Sequence, residues 1–87
     1  MDWTRLDQMA SADDIAAALR QEGITGVRLS TIDCPLARAT GWTVKRLTRW
    51  KDGCRVKLTP AERTFVKLFD AGYYQELDED EPESRAG

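Results

Sequence analysis

The chain of 87 residues has no histidine, only two cysteines and no glycine-rich phosphate loop. Without histidine, the commonest general base and nitrogen ligand for metals is missing. Cys34 and Cys54 are too few for a disulfide framework or for a zinc site of recognised spacing, so two reduced thiols are expected. These absences argue against an enzyme, and they predict no metal, no cofactor and no small-molecule substrate.

Long apolar runs are also lacking, and no segment after Met1 has the pattern of a signal peptide or a membrane span. We therefore expect a cytoplasmic protein with no membrane partner.

A chain of this length forms one small domain, whose core must depend on its three tryptophans and two phenylalanines. From residue 78 the composition becomes acidic without apolar residues to bury. It predicts a single domain over residues 1–77 and a disordered acidic tail over residues 78–87.

The formal net charge of −2 conceals an uneven distribution of charge. Residues 1–35 carry 6 acids and 3 bases, and residues 70–87 carry 7 acids and a single base. Between them, residues 36–69 carry 9 bases and 2 acids, a net charge of +7. A basic segment of this kind is the electrostatic signature of phosphate contact, although a solvated helix face gives a similar composition.

Two helices have clear start and stop signals. A capping box beginning at Ser11 opens a helix that is predicted to end at Gly23. A second capping box begins at Thr59, has a proline in the first turn and opens a helix predicted to end at Gly72. The apolar stripe of this second helix consists of Phe65, Leu68 and Phe69.

Residues 33–53 have the spacing of two further helices joined by a tight turn. Asp33 can cap the first helix, Ala37 would let the two helices cross closely, and Gly41 can adopt the positive φ that ends a helix. An apolar stripe at helical spacing follows, formed by Val44, Leu47 and Trp50. The pattern predicts a mainly α-helical domain containing a helix-turn-helix.

This segment resembles the helix-turn-helix of the Cro/C1-type phage repressors and their xenobiotic-response-element relatives, whose second helix enters the major groove. Thr40 departs from the pattern, since such motifs usually carry an aliphatic residue there. The resemblance implies a sequence-specific DNA-binding protein, a phage or prophage-type transcription regulator that binds double-stranded DNA as a homodimer. It places base contacts on Thr43, Val44, Lys45 and Arg49, and phosphate contacts on Arg46 and Lys51.

A β-hairpin over residues 42–58 is the alternative, because Asp52-Gly53 is a strong two-residue turn signal. In that register one face would carry Leu47, Arg49, Lys51, Cys54, Val56 and Leu58, and the other Val44, Arg46, Thr48, Trp50, Arg55 and Lys57. Neither face is purely apolar, whereas the helical stripe is. The hairpin would give an α+β domain.

A weaker resemblance favours the hairpin. Small uncharacterised proteins of high-GC bacteria and their phages share segments similar to Gly23-Ile-Thr-Gly, Asp33-Cys-Pro-Leu-Ala and Phe69-Asp-Ala-Gly-Tyr. This resemblance implies no function. The alternative function is a small non-catalytic interaction module, or an inhibitor that binds a host protein through the acidic ends of the chain or through exposed aromatic residues.

Overall fold

The computed structural model of the protein describes residues 1–79, and these residues form an α+β domain. Their α-helices are α1 (Trp3–Asp7), α2 (Ala12–Gln21), α3 (Pro35–Thr40) and α4 (Pro60–Asp70). Their strands are β1 (Thr43–Val44), β2 (Thr48–Lys51) and β3 (Cys54–Lys57), and a 3-10 turn covers Gln75–Leu77. The strands form one antiparallel sheet in the order β1-β2-β3. The prediction of a mainly α-helical domain was therefore wrong, and the α+β alternative fits.

The two longest helices of the described chain lie where their caps predicted them. Ser11 Oγ accepts from the Asp14 N–H at 3.2 Å ahead of α2. Thr59 and Glu62 exchange hydrogen bonds of 3.2 and 2.9 Å in a complete capping box ahead of α4. These helices bury their apolar faces in one core, whose largest fully buried side chains include Leu6, Ile15, Leu19, Leu36, Phe65, Phe69 and Leu77.

Only the first helix of the predicted helix-turn-helix is present in the described chain. Cys34, rather than Asp33, caps α3, and Gly41 ends it with a φ of 78°. Beyond Gly41 the backbone leaves the helical path, because the Val44 N–H donates to the carbonyl of Thr31 at 2.8 Å. A helix would have directed that donor to the carbonyl four residues earlier. The predicted second helix is consequently replaced by the sheet.

The turn between β2 and β3 explains why this segment forms strands. Asp52 and Gly53 have φ angles of 51° and 82°, the pair of positive values that a two-residue hairpin turn requires. This turn pairs Lys51 with Cys54, and with them the rest of both strands. The proposed helical stripe is divided as a result: Val44 is buried, whereas Leu47 and Trp50 are 61% and 45% exposed.

The chain returns after α4 to the loop before α3. The Gly26 N–H donates to the carbonyl of Leu77, and the Glu79 N–H donates to the carbonyl of Gly26, both at 2.8 Å. The Glu79 carboxylate also accepts from Arg38 at 2.6 and 3.1 Å. Residues 78 and 79, assigned to the tail from composition, are thus attached to the domain. The rest of the predicted tail, residues 80–87, lies outside the described residues.

Candidate functional site

The six residues predicted to contact DNA do not share one face of this fold. Val44 and Arg49 are buried, with 3% and 8% of their surface exposed. Thr43 is half-buried in β1, while Lys45 and Arg46 are exposed in the connection from β1 to β2. The sixth, Lys51, is exposed at the end of β2, so three exposed cations of the predicted set remain on the surface.

Strand pairing assigns each side chain of the sheet to a face. Val44, Arg49 and Val56 are aligned across the three strands, and this row faces the helices. Because successive side chains of a strand alternate, the neighbouring row lies on the outer face. It consists of Thr43, Trp50 and Arg55.

Arg49 is the centre of a polar cluster on the inner face, in which Arg49 and Glu62 are buried and Asp7 is exposed. Its Nη1 and Nη2 donate to the Asp7 carboxylate at 2.8 and 3.2 Å. The guanidinium carbon lies 4.2 Å from the ring centroid of Trp3 and 5.6 Å from that of Trp42. Arg49 Nη1 is also 3.9 Å from Glu62 Oε1. This arginine therefore joins the sheet to α1 and α4, and its guanidinium group is bonded to Asp7 instead of being presented at the surface.

Glu62 brings a second carboxyl to the same cluster and has no exposed surface. Burial, and then a hydrogen bond with Asp7, raises the pKa of Glu62 from its usual 4.5 to about 7. The hydrogen bond from Arg49 lowers the pKa of Asp7 below its usual 3.8. At neutral pH the cluster therefore holds an ionised Asp7 against Arg49, while burial favours the protonated form of Glu62.

The outer face of the sheet presents an exposed tryptophan among cations. Trp50 lies at its centre, between Thr43 on β1 and Arg55 on β3. In the next row Thr48 lies opposite Lys57, and the Lys45 N–H donates to the Thr48 carbonyl at 2.8 Å. An open recess of about 390 Å³ is lined by Lys45, Thr48, Trp50, Gly53 and Arg55.

Two more depressions continue from this recess toward α4. A cleft of about 190 Å³ shares Lys45 with the recess, and it shares Arg46 with a groove of about 560 Å³. The groove is also lined by Leu47, Pro60, Arg63, Thr64, Val66, Lys67 and Asp70. We call its exposed cations, together with those of the outer sheet face, the basic surface: Lys45, Arg46, Arg55, Lys57, Arg63 and Lys67.

The six cations of the basic surface have no ion-pair partner within residues 1–79. The other arginines of this part of the chain are paired with acids, as in the contacts Arg5–Glu22, Arg20–Glu76, Arg28–Asp78, Arg38–Glu79 and Arg49–Asp7. Asp70, the acid of the groove, accepts from the Leu29 N–H at 2.9 Å. Positive charge is therefore left uncompensated on the basic surface.

The basic segment of the sequence includes Arg55, Lys57, Arg63 and Lys67, but no sequence motif assigned these residues to a site. Trp50 was expected to lie in the hydrophobic core. The signal that locates Trp50, Arg55 and Lys57 is the Asp-Gly turn, because a two-residue loop fixes which residues of β2 and β3 are paired. That register puts Trp50 beside Arg55 on one face and Arg49 beside Val56 on the other.

Both cysteines are free thiols, Cys34 buried and Cys54 exposed. Desolvation raises the pKa of Cys34 to about 11, so this thiol is not an activated nucleophile. No cluster of three or more residues able to ligate a metal is found within residues 1–79. Nor does any helix of that part of the chain combine the length and the apolar character needed to cross a membrane.

Comparisons of the chain with protein families, with curated proteins and with solved structures find no match.

Proposed function

We propose that the protein binds nucleic acid through the basic surface. The observation that carries this proposal is a set of six exposed cations, none of them ion-paired within residues 1–79, two of which line a recess with the exposed Trp50. Cations without an ion-pair partner can displace the counterions of phosphates. An exposed aromatic ring can stack on a base. Proteins that bind nucleic acid without reading the edges of its bases combine the same two features, a set of cations and an exposed aromatic ring.

The overall charge of −2 gives no general attraction for phosphate, so the distribution of charge is what matters. The five arginines of the described chain that lie outside the basic surface are each ion-paired with an acid. The groove extends the positive region from the hairpin to α4, where Arg63 and Lys67 line its wall. A phosphate chain lying across this side would meet cations from two elements of the fold.

The expected function was a sequence-specific regulator that reads double-stranded DNA through its second helix. That helix is absent from the described chain, and Arg49 is buried, so base reading through a helix is not part of this proposal. The hairpin takes its place as the contacting element, and strands are known to serve proteins in either groove of DNA. Transcription regulation and a homodimer stay predictions.

A salt titration tests the proposal. The affinity for random duplex and for single-stranded DNA should fall steeply between about 50 and 200 mM salt, with a log–log slope near −0.9 or −0.7 per phosphate neutralised. Arg55→Ala should weaken binding and reduce the magnitude of that slope by about one. Arg5→Ala removes an equal charge from α1, where Arg5 pairs with Glu22, and should change neither. Absence of binding at low salt would refute the function.

One observation favours a second function, that of a module which binds another protein. Leu29 is 77% exposed and has a φ of 65°, a strained conformation for leucine that Asp70 holds by accepting its N–H. Leu29 lines the cleft and Leu47, also exposed, lines the adjoining groove. Leu29→Asn should leave nucleic-acid affinity unchanged if this leucine serves a protein partner. A clear loss of nucleic-acid affinity would contradict that role.

A further inference from the structure

Trp50 differs from the other two tryptophans in where its ring lies. Trp3 is buried and meets Trp42 edge to face, with ring centroids 6.2 Å apart, next to Arg49. Trp50 instead lines the outer recess, where its neighbours are cations, a threonine and a glycine. A side chain at Gly53 would meet no atom within 4 Å, so the space at the turn end of the recess is open.

We infer that this recess takes an unpaired nucleobase stacked on Trp50, and that the protein prefers single-stranded nucleic acid to duplex. The inference rests on the proposed function and names its substrate. Paired bases expose their edges in the grooves and keep their faces within the stack, whereas an unpaired base can place its whole face against an indole. The recess, at about 390 Å³, is within the roughly 300–1,000 Å³ that small ligands occupy.

The residue at the centre of the outer face favours stacking over the reading of base edges. Readers of the major groove present amides, hydroxyls or guanidinium groups to the edges of base pairs. The residue at the centre of this face is an indole, whose only polar group is a single N–H donor. Arg55 is beside it in the same cross-strand row, where it can contact the phosphate of a stacked nucleotide.

The path of the adjoining phosphates follows from residues shared between depressions. Lys45 lines both the recess and the cleft, and Arg46 lines both the cleft and the groove. Arg63 and Lys67 line the groove further along α4. A single strand with one base on Trp50 thus meets a cation in each successive depression, which is how single-strand channels track a backbone.

The test compares a short oligothymidine, its duplex with oligoadenosine, and an abasic oligonucleotide of the same length at one low salt concentration. The single strand should bind at least about tenfold more tightly than the duplex or the abasic strand, because only it offers free base faces. Trp50→Ala should weaken single-strand binding about 5- to 150-fold, leave duplex binding unchanged, and leave the salt slope intact because no charge is removed. Trp50→Phe keeps an aromatic face and should restore most of the affinity.

Thermal melting of both variants provides the folding control, since Trp50 is exposed and its truncation should leave the core intact. Oligouridine in a parallel titration distinguishes RNA from DNA, and preferential binding of either single strand supports the inference. Equal affinity for single strand and duplex, both insensitive to Trp50→Ala, would overturn the inference and leave the proposed function standing. Absence of binding to all of these probes would overturn both.

Discussion

Replacement of Glu62 by glutamine should remove a pH dependence that is built into the core. Glu62 has no exposed surface, and its Oε1 accepts from the Thr59 N–H at 2.9 Å in the capping box of α4. Glutamine has nearly the same shape and also serves in a capping box, so the helix start is retained. What Glu62→Gln removes is the titration of a carboxyl beside Asp7 and Arg49.

The magnitude follows from linkage between protonation and folding. The pKa of Glu62 is about 7 in the fold against a usual 4.5, so protonation favours the folded state. The stability it contributes is fully present below about pH 4.5 and is lost as the pH rises through about 7. At about 1.4 kcal/mol per pKa unit, the loss is at most roughly 3.5 kcal/mol. Asp7, whose pKa is lowered, acts in the opposite sense, because its contribution is lost when the pH falls below its usual 3.8.

Urea unfolding followed by circular dichroism from about pH 5 to pH 8 measures this effect. The wild type should lose stability over that interval, while Glu62→Gln should vary less and be more stable than wild type at about pH 8 by roughly 1–3 kcal/mol. Glu22→Gln, at an exposed acid of α2's C-terminal cap, is the control and should keep the wild-type slope. An unchanged pH slope in Glu62→Gln would refute the reasoning, as would a loss of stability at the alkaline end.

Three other changes have defined outcomes. Arg49→Ala removes two hydrogen bonds to Asp7 and the cation beside Glu62, and should lower the free energy of unfolding in urea by about 1.5–3 kcal/mol, whereas a near-neutral result would contradict the role of this cluster. Gly26→Ala would put a Cβ 2.4 Å from the backbone nitrogen of Pro35, so its melting temperature should fall sharply, and a wild-type value would show that the loop is looser than described. Truncation after Glu79 removes three acids and one base and should raise nucleic-acid affinity chiefly at low salt, since charges beyond roughly 10 Å are screened at about 0.1 M. Identical titrations of the full-length and truncated protein would contradict this effect of the tail.

The helices that were predicted correctly are those whose signals are local. Ser11 and Thr59 cap α2 and α4 through hydrogen bonds to residues three positions away, so a short window of sequence contains the whole signal. Gly41 likewise ends α3 as its position predicted. The remaining part of the fold depends on contacts between distant residues, and there the local pattern favoured the wrong element.

The hairpin was only the alternative because both of its faces mix charged with apolar residues, whereas the helical stripe is purely apolar. That mixture is real, and the fold accommodates it by pairing Arg49 with Asp7, 42 positions earlier in the chain. The spacing of apolar residues along a strand gives no information about a partner so distant in the sequence. The alternation proposed for residues 48–57 agrees with the observed faces, but Val44 is on the other face than expected, because residues 45–47 leave the strand geometry and change the phase.

The same alternation of side chains connects the interior of the domain to the outer face of the sheet. In β2, Arg49 points inward to the carboxyl cluster while Thr48 and Trp50, on either side of it, face outward. The ion pair with Asp7 and the contact with Trp3 hold the centre of β2 against α1. Because a strand cannot rotate one side chain without moving its neighbours to the opposite face, that inner anchorage also fixes the orientation of Trp50. Arg49, which the helical pattern selected as the reader of bases, thus acts on the candidate surface only through the strand that it shares with Trp50.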